Sequence, residues 1–469
     1  MSSGDGRPLL PWSVSLAIAR AIRGLIRIRG RSGGTTLPGR VLIRLRPDAI
    51  ERLADRIPAG TIVVSSTNGK TTTAAMISSI LDEAGWSVLH NKAGSNMHWG
   101  IATTLLDSSG LADRSIGLFE VDEAWVSRLA PALTPKLVVL GNLFRDQLDR
   151  YGELERLSDE WAEMVGRLDS DCQVALCADD PAIADLASSL PPDLEPTWFG
   201  LEDREHALSE VPHAFDAKYC RRCGGRYRYD LIFLGHLGHY RCEQCGHARP
   251  SPIQISARRI ELEGLDGSEF QLATPDGESR VELPLPGLYN VYNALAAAAA
   301  ASALGVSLEH TIRGIGRTAA VFGRSERLTL DSGELALLLI KNPTGANEVL
   351  RTLVEESNRS DQMDLWIGLN DRIADGRDVS WVWDADFEAL SGLVRNVTCS
   401  GTRAPEMAVR LKYAGWPVDS LVIDEDLERS LTTATEQADG LLYALPTYTA
   451  LLEVRGKLAG KGHASDFWE

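Results

Sequence analysis

The sequence contains no run of about eighteen or more apolar residues, the length that a helix needs to cross a bilayer. No transmembrane helix is therefore predicted. The start of the chain does not have the form of a secretory signal, because arginines interrupt every short apolar stretch and no cleavage site follows. These absences predict a cytoplasmic protein.

The chain also lacks the positive charge that is typical of a nucleic-acid-binding protein. Its formal net charge is −17, which argues against that class. The charge is uneven, because eleven Lys or Arg residues and four Asp or Glu residues occur up to Arg56. Residues 12–31 predict a short basic amphipathic helix. Such a helix can lie on the inner face of the cell membrane or pack on the protein with its arginines outward, and both interpretations stay open.

Residues 67–73 read Thr-Asn-Gly-Lys-Thr-Thr-Thr and lie between a predicted buried strand at 61–65 and a predicted helix. A strand, a glycine turn and a helix together bind phosphate, because backbone N–H groups and the helix dipole face the anion. Lys70 is then expected to reach the terminal phosphates and Thr71 to ligate Mg²⁺. Strict P-loop spacing would place a glycine where the chain has Val64, so an ordinary turn with a solvated lysine is the alternative.

Acidic residues end the next predicted buried strand, at 116–123. In a parallel α/β sheet, ligands bind outside the carboxyl ends of the strands, so carboxylates there can hold Mg²⁺ or orient a second substrate. Acids that only cap the following helix would look the same. The acids are Glu120, Asp122 and Glu123. Further strands at 87–90 and 136–141 alternate with helical segments, which predicts a doubly wound parallel sheet.

Four of the seven cysteines form two Cys-x2-Cys pairs separated by eighteen residues. Two thiolate pairs on two turns can close a tetrahedral site that suits Zn²⁺ and has no open position, so a structural zinc site is predicted. An iron–sulfur cluster and four unrelated thiols are the alternatives. The pairs are Cys220 with Cys223 and Cys242 with Cys245. The other three, Cys172, Cys177 and Cys399, are predicted to be buried and unreactive.

The alanine-rich stretch at 294–304 predicts a helix, and Asn290 and Asn293 lie at its start. Such asparagines often only cap a helix, but two of them three residues apart can share a face and bind a purine edge. Arg324 follows in a predicted connection between domains, where an arginine could close over phosphates.

From residue 328 the chain restarts as a second, Rossmann-like α/β unit, with predicted strands at 335–340, 365–369 and 441–445. The strand at 365–369 is followed by a segment, 370–384, that combines acids with two tryptophans. This segment is a binding loop, a docking surface for another protein or a solvated turn. Its candidate functional residues are Asp371, Asp375 and Asp378.

Taken together, these residues resemble the Mur ligase superfamily of ATP-dependent amide-forming enzymes. Residues 67–73 resemble its phosphate loop, and residues 142–151 resemble its stretch that begins with Asn and ends with Asp-Arg-Tyr. The acids at 120–123 resemble its Mg²⁺ ligands, and the two asparagines resemble those that contact adenine. The resemblance implies ATP and Mg²⁺ as cofactors, bound by Thr67, Asn68, Gly69, Lys70, Thr71, Thr72, Glu120, Asn290, Asn293 and Arg324.

Three departures narrow the resemblance to one subfamily. The N-terminal domain that grips UDP in other members is missing, Gln147 replaces a usual histidine, and the four-cysteine insertion is foreign to ordinary members. All three fit the MurT subfamily. This chain also shares with that subfamily the Gly-Gly-Thr-Thr-Leu-Pro-Gly segment at residues 33–39 and the loop at 375–384. Ser66 stands where this subfamily usually has glycine. Serine is a small residue, so we expect the loop to tolerate this substitution.

The subfamily resemblance implies the synthetase activity of lipid II isoglutaminyl synthase. ATP would phosphorylate the α-carboxylate of D-glutamate in the lipid II stem peptide, and ammonia would displace the phosphate to give D-isoglutamine. Lys70 and Mg²⁺ would spread the charge on the β and γ oxygens, Thr71 and Glu120 would hold the metal, and Arg324 would stabilise the transferring group.

None of the cysteines lies in a recognisable nucleophile turn paired with a histidine, so ammonia must come from elsewhere. The resemblance implies a GatD-like class I glutaminase subunit in a heterodimer. One of Asp371, Asp375 and Asp378 would complete that partner's Cys-His pair, and the sequence does not choose among them.

At 469 residues the chain has material for roughly two to four domains. We assign an N-terminal segment to 1–55, a central ATP-binding domain to 56–322, a zinc ribbon within it to 215–250, and a partner-docking α/β domain to 325–469. Two other functions stay open. One is an amino-acid ligase of the Mur or folylpolyglutamate type, and the other is a non-catalytic scaffold gated by nucleotide.

Overall fold

The computed structural model describes residues 8–28, 36–91, 95–146, 154–318, 324–358 and 362–464. Several predicted features therefore lie outside the described residues, among them residues 33–35, the stretch 147–151 with Gln147, and the connection at 322–323.

The larger sheet has nine strands in the order β11-β10-β9-β6-β5-β4-β1-β3-β2. From β9 to β2 neighbouring strands run parallel, and β9, β10 and β11 are joined antiparallel. All residues of β1, β3 and β4 are buried, as expected for strands covered on both faces. The strands are β1 Thr61–Ser65, β2 Ser87–His90, β3 Ser115–Glu120, β4 Leu137–Leu140, β5 Gln173–Cys177, β6 Thr197–Leu201, β9 Ile255–Leu262, β10 Ser268–Thr274 and β11 Gly277–Leu283.

Ten helices belong to this first part of the described chain. The helix at 288–303 is buried along almost its whole length, because its alanines allow close contact with the sheet. The helices are α1 Trp12–Ile28, α2 Leu37–Leu45, α3 Ala49–Ala54, α4 Lys70–Glu83, α5 His98–Leu105, α6 Val126–Leu133, α7 Leu154–Val165, α8 Pro181–Asp185, α9 Leu288–Ala303 and α10 Leu308–Gly316. A 3₁₀ turn, Leu186–Ser189, follows α8.

A separate antiparallel hairpin, β7 Tyr227–Leu234 and β8 Leu237–Cys242, occupies the crossover between the adjacent parallel strands β6 and β9. Tyr227 and Tyr240 are buried at its base beside the cysteines. The hairpin is therefore an insertion that leaves the strand order of the large sheet unchanged.

The second sheet has six strands in the order β12-β13-β17-β14-β15-β16, all parallel except for the β12–β13 pair. The strands are β12 Arg324–Leu330, β13 Gly333–Leu338, β14 Met363–Gly368, β15 Val394–Ser400, β16 Leu421–Ile423 and β17 Leu441–Pro446. The helices are α11 Pro343–Ser357, α12 Ala404–Tyr413, α13 Leu427–Gln437 and α14 Tyr448–Gly460. Short 3₁₀ turns are Ser380–Asp384, Phe387–Leu390 and Val418–Ser420.

The second unit has apolar cores of its own on both faces of its sheet. The predicted parallel α/β sheets in both halves of the chain are confirmed. In the part of the chain that the structure describes, every helix is too short or too polar to span a bilayer.

Candidate functional site

The phosphate loop connects β1 to α4, and α4 begins at Lys70 within the loop motif. Gly69 lies directly before the helix with φ of +90°, a conformation that favours glycine. A Cβ atom at this position would lie 1.9 Å from Asn293 Oδ1. The loop therefore requires glycine for two reasons, the backbone angle and the contact with α9.

Lys70 is buried and turned toward the protein. Its Nζ donates to Ser66 O at 2.5 Å, to Thr67 O at 3.2 Å and to Glu123 Oε2 at 2.7 Å. Burial acts to lower the pKa of Lys70, but Glu123 and Asp122 outweigh it and leave the pKa raised. Glu123, one of the predicted acids, is thus the partner of the lysine.

The Thr71 hydroxyl donates to Glu120 Oε1 at 3.1 Å, and the Nδ2 of Asn96 lies 3.4 Å from the same oxygen. Asn91 fixes the backbone of Glu120 by accepting from its N–H and donating to its carbonyl oxygen. A hydroxyl oxygen and a carboxylate oxygen thus converge beside the phosphate loop. Hard oxygen atoms of this kind are what Mg²⁺ prefers, so Thr71 and Glu120 fit that ion.

Asn290 and Asn293 lie within the first two turns of α9 and share one face, as predicted. Asn293 Nδ2 donates to Asn290 Oδ1 at 3.0 Å, and Asn290 Nδ2 donates to Pro286 O at 2.8 Å. Asn293 Oδ1 also accepts from Thr73 Oγ1 at 3.3 Å. Neither side-chain oxygen caps the helix, since Asn290 Oδ1 accepts from Asn293 and Asn293 Oδ1 accepts from the Thr73 hydroxyl. The pair therefore ties α9 to the phosphate loop.

The remaining loop residues contact the segment after β4. Thr67 Oγ1 accepts from Phe144 N at 3.0 Å, and Asn68 N donates to Asn142 Oδ1 at 2.9 Å. Thr72 lines a cavity at the start of α4. Residues 142–146, the described part of the stretch that resembles the Mur ligase superfamily, are therefore packed directly against the phosphate loop.

The second unit contributes residues to this region that sequence reasoning did not single out. Lys341 Nζ lies 2.7 Å from Asp146 Oδ2, and Asn342 Nδ2 donates to Asn68 Oδ1 at 2.9 Å. Asn342 also caps α11 by accepting from Gly345 N at 2.8 Å. The only signal in the sequence was the polar run that follows the strand predicted at 335–340.

A cavity lies between the two α/β units at the phosphate loop. Polar groups line one part of it, and aromatic and aliphatic side chains line the rest, which is typical of a ligand site. The lining residues are Asn68, Gly69, Thr72, Asn142, Phe144, Leu234, Leu237, Tyr289, Tyr292, Asn293, Ser325, Leu338, Leu339, Lys341, Thr344, Gly345, Glu348 and Val349. Arg324 begins β12 next to Ser325, but the position of its side chain lies outside what the structure describes.

The three candidate aspartates of the 370–384 segment have different environments. Asp375 is buried and accepts from Thr449 N at 2.7 Å and from Thr449 Oγ1. Asp371 is paired with Arg403 at 2.8 Å and accepts from Thr402 Oγ1. Asp378 is exposed, and one of its oxygens accepts from Ser380 N at 2.8 Å. Of the three, Asp378 presents its carboxylate most openly to solvent.

The four cysteines of the insertion meet at the base of the hairpin. Their sulfur atoms all lie within 4.8 Å of one another, with 3.6 Å between Cys220 and Cys245 and 3.5 Å between Cys223 and Cys242. Tetrahedral zinc with Zn–S bonds of about 2.3 Å needs sulfurs about 3.8 Å apart, so the cluster fits zinc. The same four thiolates also suit iron.

The other cysteines are buried, as predicted. Burial and nearby aspartates raise the pKa of the Cys172 thiol to about 12, and burial raises that of Cys399 to about 12. Burial also raises the pKa of Cys177 well above its ordinary value. Since the thiolate is the reactive form, these cysteines are unreactive at neutral pH.

Two family models match the chain. The Mur ligase middle domain matches residues 64–224, and the MurT ligase C-terminal model matches residues 339–451. Subunit MurT of lipid II isoglutaminyl synthase (glutamine-hydrolyzing) from Streptococcus pneumoniae is 34% identical over 455 residues, covering 96% of this chain and 98% of the relative. The MurT subunit of Staphylococcus aureus strain N315 is 31% identical over 441 residues, covering 94% and 96%.

Solved structures with the same fold are more distant in sequence. A pseudomurein peptide ligase type C from Methanothermus fervidus has a TM-score of 0.65 and 23% identity, covering 86% of this chain and 78% of its own. MurF from Acinetobacter baumannii has a TM-score of 0.64 and 18% identity, covering 89% and 80%. These likenesses confirm the predicted Mur ligase fold.

Proposed function

Because the chain belongs to the MurT family of Mur ligases, as the sequence resemblance predicted, we propose that it is the synthetase subunit of a lipid II isoglutaminyl synthase. It would use ATP to amidate the α-carboxylate of D-glutamate in the lipid II stem peptide. One observation carries the proposal: the similarity to MurT subunits extends over 96% of this chain, through both α/β units. The predicted reaction class, an ATP-dependent amide-forming ligase, follows from the same similarity.

The proposed reaction has two steps. The α-carboxylate oxygen attacks the γ-phosphorus of ATP and releases ADP, which gives an acyl phosphate. Ammonia then attacks the acyl carbon, phosphate leaves, and one proton is lost from nitrogen to give D-isoglutamine. The backbone N–H groups at the start of α4 would stabilise the phosphates, and Lys70 would exchange Glu123 for the phosphate oxygens as charge develops there.

Thr71 and Glu120 would hold Mg²⁺, since their oxygens converge beside the loop. Bound there, the ion would polarise the phosphate oxygens. Asn290 and Asn293 would rotate from their mutual hydrogen bond toward the purine, and Lys341 would contact the nucleotide from the second unit. Arg324, at the start of β12 beside the cavity, would neutralise the transferring phosphoryl group.

Ammonia would come from a class I glutaminase subunit like GatD. The described cysteines outside the metal cluster are buried with raised pKa, which is unfavourable for a nucleophile. Of the three aspartates, we favour Asp378 as the residue that completes the partner's Cys-His pair. It is exposed, whereas Asp375 is bonded to Thr449 and Asp371 is paired with Arg403.

The segment that carries Asp378 also contributes to a candidate docking surface. Trp383 and Tyr413 are exposed by 49% and 74%, their ring centroids lie 5.8 Å apart, and the Arg410 guanidinium stacks on Trp383. Arg410 itself is buried and holds the tryptophan ring in place, and exposed aromatic side chains of this kind are typical of protein interfaces. We propose that the glutaminase binds here, which would bring it to the loop that carries Asp378.

Membrane contact through α1 is a further part of the proposal. Leu16 and Ala19 are buried against the body, whereas Val14, Ile18 and Leu25 are exposed along one face of the helix. This apolar face belongs to the basic part of the chain, which favours anionic lipids. Changing Val14, Ile18 and Leu25 together to serine should reduce co-sedimentation with phosphatidylglycerol vesicles. Equal vesicle binding by the wild type and this triple variant would contradict membrane contact through α1.

The decisive experiment is mass spectrometry of lipid II after incubation with this chain, Mg-ATP and ammonium. Ammonium replaces the glutaminase, so the test does not depend on the partner. Amidation at D-glutamate with consumption of ATP is expected, and the variant Lys70→Ala should lose it. Addition of a soluble amino acid instead would identify an amino-acid ligase. Absence of amidation by the wild-type chain, with partner binding unchanged in Lys70→Ala, would identify a scaffold.

A further inference from the structure

The hairpin of the four-cysteine insertion reaches into the cavity at the phosphate loop. The cysteines lie at its base, where Cys242 ends β8, while the opposite end carries Leu234 and Leu237. Both leucines line the cavity, together with Phe144 and Asn293 from the first unit. One end of the same small element thus holds a metal cluster, and the other end forms part of the site that we assign to nucleotide.

Both α/β units hold the tip of the hairpin. On the first unit, Gly238 N donates to Asp179 O at 2.9 Å, and on the second unit Arg351 Nη1 donates to Phe233 O at 3.1 Å. Gly235 at the turn has φ of +54°, and a Cβ there would lie 2.8 Å from Phe144 Cε1. The tip is therefore closely fitted between the two units.

A nucleotide base needs flat apolar contact on its faces and polar groups at its edge. The cavity offers polar groups at Thr72 and Asn293, and Leu234 and Leu237 supply apolar surface from the hairpin. Two-stranded hairpins are marginally stable by themselves, so a cross-link at the base would fix the position of the tip.

We propose that Leu234 and Leu237 form an apolar wall for the base of ATP, and that the metal bound by the four cysteines holds this wall in place. The proposal rests on the ATP-dependent function proposed above, and it assigns the metal centre a role in nucleotide affinity.

The wall is tested by calorimetric titration of the full-length protein with Mg-ADP. Leu234→Ala and Leu237→Ala should each weaken ADP binding by about tenfold, because a few methylene contacts in a pocket are lost. Leu231→Ala is the matched control, since Leu231 lies on the same strand and packs against the core but does not line the cavity. Leu237→Met keeps the side-chain volume and should bind nearly as the wild type does, and circular dichroism would verify folding.

Two failures are distinguishable in this experiment. If the wild-type protein does not bind ADP, the proposed ATP-dependent function is overturned together with the wall. If the wild-type protein binds ADP and both alanine variants bind it equally well, the wall alone is overturned.

The role of the metal is tested with Cys245→Ser, which changes the exposed cysteine of the cluster. Elemental analysis should show loss of zinc, and ADP binding should weaken about as much as in Leu237→Ala. Cys172→Ala, outside the cluster, is the control for removal of a thiol. This variant should keep both its zinc and its affinity for ADP. A zinc-free Cys245→Ser protein that binds ADP with wild-type affinity would overturn the role of the metal.

Discussion

Lys70 and Glu123 form a buried ion pair at the centre of the phosphate loop. Removal of one partner leaves the other charge buried without compensation, which is costly in protein interiors. Burial acts to raise the pKa of Glu123, but the neighbouring Lys70 and Lys341 outweigh it and leave the pKa lowered. Glu123 is therefore ionised at neutral pH, and the lysine is positioned before any nucleotide arrives.

Glu123→Gln should lower the free energy of unfolding by about 3 kcal/mol, because it removes the carboxylate that is paired with the buried Lys70 ammonium. Urea denaturation followed by circular dichroism measures this loss. Glu163→Gln is the control, since the Glu163 side chain is 73% exposed. Equal transition midpoints for Glu123→Gln and the control would contradict a structural role for the pair.

Glu348 is a buried carboxyl group in the lining of the cavity. Burial raises its pKa from 4.5 to about 7, with a further contribution from Glu355, while Arg351 acts to lower it. The folded protein therefore keeps this proton at pH values where the unfolded chain has released it. Below pH 4.5 the carboxyl group is protonated in both states and does not lower the free energy of unfolding. As the pH rises from 4.5 to about 7, the free energy of unfolding decreases because the unfolded chain releases this proton more readily.

Glu348→Gln should remove this decrease in the free energy of unfolding. The variant should be more stable than the wild type by about 3 kcal/mol near pH 8, and the difference should shrink toward pH 5. Thermal unfolding at a series of pH values measures it. Glu309→Gln, at a side chain that is 76% exposed, should show no such trend. A stability difference that is constant with pH would contradict a raised pKa.

At the scale of elements, α4 and α9 meet at the phosphate loop. Gly69→Ala should abolish Mg-ADP binding, because the new methyl group would push Asn293 and α9 away from the loop. Gly305→Ala is a matched control, because Gly305 also has a positive φ of +69° but has no atoms within 4 Å of its Cβ position. It should lose about 1 kcal/mol of stability and keep ADP affinity. Normal ADP binding by Gly69→Ala would show that the loop can shift without loss of the site.

Many elements follow directly from local sequence. Strands such as β1 and β4 are short apolar runs between turn residues, and the phosphate loop and the cysteine pairs have distinctive spacing. Contacts between distant segments leave no such pattern. The pair of Lys341 with Asp146 joins residues that are 195 positions apart, and nothing local indicates that the hairpin tip reaches the cavity. These features arise only when the two sheets are packed together.

At the scale of the whole molecule, the proposed complex separates two chemical activities. Asp378→Asn should abolish amidation of lipid II with glutamine and the glutaminase present, while amidation with ammonium should persist. Mass spectrometry with each nitrogen source measures both. Asp371→Asn is the control, because Asp371 is already paired with Arg403, and it should retain glutamine-dependent amidation. Loss of that activity in Asp371→Asn but not in Asp378→Asn would reverse the assignment.

The position of the cysteine hairpin in the topology has one more consequence. The hairpin fills the crossover between β6 and β9, which are already neighbours in a parallel sheet. Such a crossover needs only about a dozen residues. Evolution could therefore gain or lose this module without reordering a single strand of the large sheet, and only the side chains that contact the hairpin tip would need to change with it.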